Sequence, residues 1–262
     1  TLDQCWVTGK SKTPFYLRRT FSLKETPVRA TLLACGLGQY NAYINGKRVG
    51  DHFLDPAWTD YHKLVLYNRF DVTEMLTEGK NTLAMEVGNG WYLWDQDYGY
   101  GFHFPPFMPP NPNPYKPYGK SLVASFLLTV IYEDGRSESI CSDESCKVRP
   151  HGVRRSNVYG SEWIDGAKLE PFCSLPDYDD SSWANASAAL PEEAPKGVLK
   201  EALLPPVREL RRYDGRYLKT VNGRRIYDLG QNISGILKAT VRGKAGMRVD
   251  VYPAEKLDET GD

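Results

Sequence analysis

Short runs of alternating apolar and polar residues dominate the chain, and they constrain its fold more than any other feature. Alternation with a period of two places successive side chains on opposite faces of a β-strand. No stretch keeps the 3.6-residue period of a long amphipathic helix. The sequence therefore predicts an all-β protein, because many short strands at regular spacing are typical of a β-sandwich or jelly roll. Strands are predicted at residues 15–23, 28–35, 39–44, 47–49, 64–70, 82–87, 122–132, 136–140, 225–229, 235–241 and 247–252.

Turn residues separate several of these strands. Asn45-Gly46 follows an alternating run, and this pair readily adopts the positive φ that a two-residue hairpin turn needs. Glu133-Asp134-Gly135 predicts another turn. Residues 72–76, directly after Asp71, are predicted to form one short helical turn.

Size and charge exclude several classes of protein. The 262 residues suffice for one large domain or two small ones with an ordinary core. Lys plus Arg and Asp plus Glu both number 33, which argues against binding to nucleic acid or to an anionic membrane surface. No apolar run approaches the roughly 20 residues of a membrane helix. Of the five cysteines, Cys141 and Cys146 flank a turn and could pair, but separate thiols are the favoured interpretation.

Two shifts in composition predict the domain organisation. Residues 102–118 hold seven prolines with interleaved aromatic residues, so we place a proline- and aromatic-rich loop at 99–120. It is either a functional loop or a strap across a sheet face. Residues 191–206 are predicted to be a linker between a first domain, 1–190, and a second β-sandwich at 207–262. That sandwich would be partial, because an independent one usually needs about 100 residues.

Catalytic motifs are lacking. The chain contains no nucleophile elbow, phosphate loop or complete dinucleotide fingerprint. The four histidines are scattered, and the 33 acidic residues nominate no catalytic pair. We therefore assign no catalytic residue.

The densest group of candidate binding residues begins after the strand at 82–87. Aromatic rings stack on the apolar face of a sugar while nearby carboxylates bind its hydroxyl groups. The alternative is that Trp91 and Trp94 plug one end of the sandwich. The predicted carbohydrate-binding residues are Trp91, Tyr92, Trp94, Asp95 and Asp97.

Calcium is a further candidate ligand, because hard cations take several carboxylate and carbonyl oxygens. Asp95 and Asp97 could supply such oxygens, as could Asp177, Asp179 and Asp180. For the second group, solvated acids of a turn are the favoured interpretation. No set of metal ligands is assigned.

Several segments resemble a known family. Residues 38–50 and 71–81 resemble the jelly-roll sugar-binding domains that accompany many glycosidases. Two motifs are more specific: Asp55-Pro-Ala-Trp-Thr-Asp-Tyr61 and Gly88-Asn-Gly-Trp-Tyr92 resemble the N-terminal domain of bacterial α-L-rhamnosidases. Ala57 departs from the glycine usual in that family. This resemblance implies a galactose-binding-like jelly roll.

The C-terminal part extends the resemblance. Pro205-Pro-Val-Arg208 and Asp228-Leu-Gly-Gln-Asn232 resemble the start of the β-sandwich that follows in those enzymes. The family's inverting hydrolysis of terminal α-L-rhamnose takes place in an (α/α)₆ barrel, which no segment here resembles. The resemblance thus implies the N-terminal part of a longer hydrolase, inactive alone and ending within its second β-domain.

Three roles then remain open. The β-region could bind L-rhamnose-containing carbohydrate, with calcium in some relatives, or it could only support the catalytic domain of the same polypeptide. It could also be a structural sandwich of another glycosidase, without sugar binding. The sequence leaves the compartment open, with the periplasm or the exterior favoured over the cytoplasm.

Overall fold

A computed structural model describes residues 1–93, 118–157, 161–190 and 192–257, apart from the side chains of residues 155, 157 and 161. The chain divides into two compact units, Thr1–Arg208 (unit 1) and Glu209–Asp262 (unit 2). Within the described ranges no helix is long and apolar enough to cross a membrane.

In the described residues the regular elements are β-strands and three short 3₁₀ turns, so the predicted all-β class is confirmed. The 3₁₀ turns are Leu2–Gln4, Thr73–Met75 and Gly166–Lys168. The strands are β1 (Val7–Thr8), β2 (Phe15–Leu23), β3 (Arg29–Leu37), β4 (Gln39–Ile44), β5 (Lys47–Arg48), β6 (His52–Phe53), β7 (Leu64–Asp71), β8 (Gly79–Gly88), β9 (Val123–Ile131), β10 (Ser137–Cys141), β11 (Lys147–Pro150), β12 (Val153–Asn157), β13 (Ser161–Ile164), β14 (Ala184–Asn185), β15 (Ser187–Ala188), β16 (Val198–Glu201), β17 (Val207–Arg208), β18 (Arg216–Val221) and β19 (Arg224–Asp228).

Two large sheets build unit 1. Sheet 1 has the order β15-β1-β9-β3-β7-β16, with β10 also paired to β9. Sheet 2 has the order β14-β11-β2-β8-β4-β5. All pairs are antiparallel except β16 with β7. Two small ladders, β12-β13 and β17-β6, complete this unit.

A single apolar cluster lies between the two sheets and draws on both of them. Alternate residues of β4 are buried, as its alternating sequence requires. Leu17 and Met85 of sheet 2 and Leu32 and Phe126 of sheet 1 are completely buried within this cluster. Burying each such side chain stabilises the fold by about 1.5–3 kcal/mol. The fold is therefore a β-sandwich, as predicted.

The strongest local signals are confirmed. The strands predicted at 15–23 and 39–44 form over those residues as β2 and β4. Asn45 and Gly46 both have positive φ, at 51° and 82°, and they connect β4 to β5. The helical turn predicted at 72–76 is the 3₁₀ turn Thr73–Met75.

The structure places one strand in the described part of the segment 191–206, which the sequence predicts to be a linker. Its residues Val198–Glu201 form β16, which pairs in parallel with β7 and so extends sheet 1. Val207–Arg208 pairs with β6, also inside unit 1. Their pairing partners lie more than 100 residues earlier, so no local pattern could indicate them.

The described residues of unit 2, 209–257, contain fewer strands than the sequence predicts. Its ladder joins β18 to β19, and β19 matches the strand predicted at 225–229. The strands predicted at 235–241 and 247–252 do not form in the described part of this unit. A strand is stable only when a neighbour pairs with its backbone, and these segments have no such neighbour among the described residues.

The five cysteines all lie in unit 1 and are free. Cys146 is buried and Cys141 is half-buried, so the interpretation of separate thiols is confirmed. Burial raises the pKa of Cys146 to about 11, which keeps it protonated and unreactive at neutral pH.

Candidate functional site

The turn after β8 determines the position of Trp91, the first of the predicted binding residues. Asn89 anchors this turn, because its side chain donates to the Lys12 carbonyl at 2.7 Å and its carbonyl accepts from the Tyr92 amide at 3.1 Å. Gly90 has a φ of 50°, and a Cβ there would come within 2.5 Å of Gln39. The turn therefore requires glycine at this position, and it fixes where Trp91 emerges.

Trp91 stacks on Trp58, a residue that the sequence did not single out as a ligand. The ring centroids are 4.7 Å apart and the ring planes differ by 8°. Trp58 is 49% exposed, whereas Trp91 is half-buried. We call Trp58 and Trp91 the tryptophan pair. It presents an indole at the protein surface, stacked on a second indole.

Tyr92 faces the other way, into the core. It is only 2% exposed, and its ring lies 5.4 Å from Tyr61 in an edge-to-face arrangement and 6.5 Å from Tyr118. Burial raises the pKa of Tyr92 to about 12. This side chain supports the turn from beneath, on the side opposite to a surface ligand.

Trp94, Asp95 and Asp97 lie outside the described residues, as does most of the loop predicted at 99–120. Of the five predicted residues, the structure therefore describes only Trp91 and Tyr92. The binding role of this group stays a prediction.

A buried carboxylate anchors the segment that carries Trp58. Asp55 is 8% exposed, its backbone carbonyl accepts from the Tyr40 amide at 2.9 Å, and its side chain lies 2.9 Å from the Nδ1 atom of His52. Burial raises the pKa of Asp55, although His52 and Arg48 act in the opposite direction. This network fixes the start of the segment three residues before Trp58.

A second polar network crosses the outer face of sheet 2. Asn41 and Tyr43 of β4 donate to the Oε2 atom of Glu86 at 3.1 and 3.0 Å. The Nε2 atom of His151 lies 3.6 Å from the Oε1 atom of Glu86. Burial acts to raise the pKa of Glu86, but these neighbours outweigh that effect and lower it.

A cavity of about 340 Å³ opens beside this network. Its wall comes from β11, from the start of β12 and from the 3₁₀ turn Gly166–Lys168. Three of its lining residues are basic and one is acidic. The lining residues are Arg149, Pro150, His151, Arg154, Ala167, Lys168 and Glu170.

The structure does not assemble a calcium site from the acids it describes. No group of three or more His, Cys, Asp or Glu side chains could hold a metal ion within the described ranges. Asp177 pairs with Lys80 at 3.2 Å, Asp179 accepts from the Ser181 amide, and Asp180 pairs with Arg18. These acids serve turns and ion pairs.

Sequence families match almost the whole chain. The family described as the α-L-rhamnosidase N-terminal domain matches residues 25–211, which is more than half of the chain. The chain belongs to this family. A second family, the bacterial α-L-rhamnosidase concanavalin-like domain, matches residues 218–262. The predicted family is therefore confirmed, and the order of the two domains agrees with the division into two units.

Curated relatives of this rhamnosidase region are much longer than the chain. An α-L-rhamnosidase of Formosa agariphila is 33% identical over 252 residues, which is 94% of this chain but 25% of that protein. An α-L-rhamnosidase of Streptomyces avermitilis is 33% identical over 247 residues, or 94% of this chain and 22% of that protein. The chain thus spans about a quarter of the length of such relatives.

Solved rhamnosidase structures share the fold. The α-L-rhamnosidase of Dictyoglumus thermophilum has a TM-score of 0.68 and 35% identity, covering 84% of this chain and 22% of that one. The Streptomyces avermitilis enzyme, solved in complex with L-rhamnose, has a TM-score of 0.70 and 31% identity, covering 84% and 20%.

Proposed function

We propose that this chain is the non-catalytic N-terminal β-region of an α-L-rhamnosidase and that it binds carbohydrate at the tryptophan pair. Hydrolysis of terminal α-L-rhamnose would then take place elsewhere in a longer polypeptide. The family membership and the order of the two matched domains support this proposal. The length of the relatives agrees with it, since they extend far beyond the matched region.

One observation carries the binding role: the half-exposed indole of Trp58 is stacked on the indole of Trp91. The C–H face of a pyranose packs against such an indole. The Trp58 side chain loses little conformational freedom on binding, because it already stacks on Trp91. A bound glycan would be held close to a catalytic domain in the same polypeptide. Its effective concentration there would rise without any new chemistry.

L-Rhamnose is the sugar to test first, because the Streptomyces avermitilis relative was solved in complex with it. We expect rhamnose to change the tryptophan fluorescence of this chain in a saturable manner, and galactose to have little effect. Trp58→Ala should abolish rhamnose binding, measured by isothermal titration calorimetry because the variant lacks one reporter indole, while far-UV circular dichroism stays unchanged. Repeating the titration with calcium and with a chelator tests whether a metal contributes.

Trp163→Phe is the matched control, because Trp163 is also an exposed tryptophan, on β13. It should leave rhamnose affinity unchanged. A Trp58→Ala variant with the affinity of the parent chain would refute the tryptophan pair as the site. Release of rhamnose from an aryl α-L-rhamnoside by this chain, at enzyme-like rates, would refute the non-catalytic assignment.

A structural role is the second candidate, and unit 2 favours it. Many of its apolar side chains are exposed, including Leu210 at 94% and Ile236 at 84%. Such side chains are typical of a surface that packs against further protein. We expect them to pack against other strands of a concanavalin-like domain.

A further inference from the structure

Two basic side chains around the cavity beside sheet 2 keep hydrogen-bond donors that no described residue uses. Arg154 and Lys168 both face Asp165, at 3.9 and 3.8 Å, and both distances are too long for a hydrogen bond. Asp165 itself caps the 3₁₀ turn by accepting from the Ala167 amide. Both cations are about half-exposed, so their remaining N–H groups can reach a ligand.

The acid at this cavity is already engaged by its neighbours. Glu170 accepts from the Tyr178 hydroxyl at 2.8 Å on one oxygen and lies 3.3 Å from Arg149 on the other. Its charge is therefore balanced within the wall. Of the lining residues, three are positively charged and one is negatively charged, while Asp165 and Glu86 beside the lining add two further negative charges.

His151 forms a buried part of the wall. It is 8% exposed, and its Nδ1 atom accepts from the Val153 amide at 2.8 Å, so the neutral ring carries its proton on Nε2. Among the described residues that nitrogen has no hydrogen-bond partner, and it lies 3.6 Å from the Oε1 atom of Glu86. Tyr16 packs against the ring with centroids 4.0 Å apart and holds it in place.

The N–H donors around the cavity fit a carboxylate best. A guanidinium presents N–H pairs in a fixed plane that match the two oxygens of a carboxylate, and Arg149 and Arg154 supply two such groups. A volume of about 340 Å³ is within the range of small-ligand sites and suits one monosaccharide.

We propose that this cavity binds a uronic acid through its carboxylate, so that the chain recognises acidic residues of a glycan at a site distinct from the tryptophan pair. The proposal rests on the proposed function only in taking the ligand to be a carbohydrate. Arg149, Arg154 and Lys168 would bind the carboxylate, and Glu170 would accept from a sugar hydroxyl.

D-Galacturonate and D-galactose test this proposal, since they differ only in the carboxylate at C6. In ¹H–¹⁵N spectra of the 262-residue chain, galacturonate should shift the amides of Gly152, Val153 and Lys168 in a saturable manner. Galactose should leave them in place. Arg154→Gln and Lys168→Gln should each weaken galacturonate binding about tenfold, as expected for a charge-assisted hydrogen bond.

Arg136→Gln is the matched control, because it removes one exposed arginine from the turn before β10 and should not change the affinity. Equal shifts with galactose would overturn the proposal, and so would an unchanged affinity in both cavity variants. Galactose 6-sulfate and inorganic sulfate distinguish the source of the anion. Inorganic sulfate that binds as tightly as galacturonate would overturn the sugar assignment.

The two sites can fail separately. Rhamnose binding is read from tryptophan fluorescence and depends on Trp58, whereas uronate binding is read from amides around Gly152 and depends on Arg154. A chain that binds galacturonate but not rhamnose refutes the tryptophan pair alone. The reverse result refutes the cavity alone.

Discussion

Unit 1 and unit 2 share the same kind of alternating sequence, yet they bury very different fractions of it. In unit 1, β2 has a paired neighbour on each side, and Phe126 on β9 of the facing sheet is fully buried. In the described part of unit 2, one two-stranded ladder forms, and Ile236 remains 84% exposed. Alternation therefore permits a strand but does not bury its apolar face. Burial requires paired neighbours and a second sheet opposite.

The largest expected effect comes from deleting equivalent apolar groups in the two units. Phe126→Ala should lower the free energy of unfolding of unit 1 by about 3–5 kcal/mol, because it removes buried surface and leaves a cavity. Ile236→Ala should change the free energy of unfolding of unit 2 by less than about 0.5 kcal/mol, since that side chain is already exposed. Urea unfolding followed by circular dichroism measures both. Similar losses for the two variants would show that unit 2 buries Ile236 in solution.

A buried arginine provides the next test. Arg18 is 1% exposed and donates to the carbonyls of Cys173 and Leu175, besides pairing with Asp180. Arg18→Met should destabilise unit 1 by about 3 kcal/mol, because these acceptors and the Asp180 charge lose their partner.

Arg248→Met in unit 2 is the control for Arg18. Arg248 pairs with Asp250 at 2.8 Å but is 82% exposed, and an exposed ion pair contributes at most about 1 kcal/mol. The same urea titration compares the two variants. A loss of stability in the control as large as that of Arg18→Met would contradict the contrast between the units.

The smallest expected effect is a pH dependence that originates in unit 1. The pKa of Glu86 in the folded protein is lower than its ordinary value of 4.5. The unfolded chain therefore takes up this proton at a higher pH than the folded chain does. Glu86 stabilises the fold above pH 4.5, and that contribution is lost as the pH falls through the lower, folded pKa.

Glu86→Gln should flatten this acid-induced loss while leaving the stability curve above pH 5 parallel to that of the parent chain. Unfolding midpoints measured between pH 3 and pH 7 give the two curves. An unchanged acid slope would mean that Asn41, Tyr43 and His151 do not hold Glu86 in its charged form.

The local features of the fold could be predicted from the sequence because they depend on neighbouring residues. The alternation in β2 and β4 and the Asn45-Gly46 turn specify strands and a hairpin without reference to the rest of the chain. The motifs at 55–61 and 88–92 also sufficed to recognise the family. The strand β16 could not be predicted, because its pairing with β7 spans more than 100 residues.

The candidate binding residues show the same difference between local and long-range features. Trp91 was singled out from its sequence neighbours, but its stacking on Trp58 was not, since the two residues are 33 positions apart and only the packed strands bring them together. Tyr92 directly follows Trp91 and shares its turn, yet it lies in the core. The sequence alone determined β2, β4, the hairpin turn after β4 and the family. The tertiary structure decided which aromatic and charged side chains meet, because contacts between distant residues depend on the pairing and packing of whole sheets.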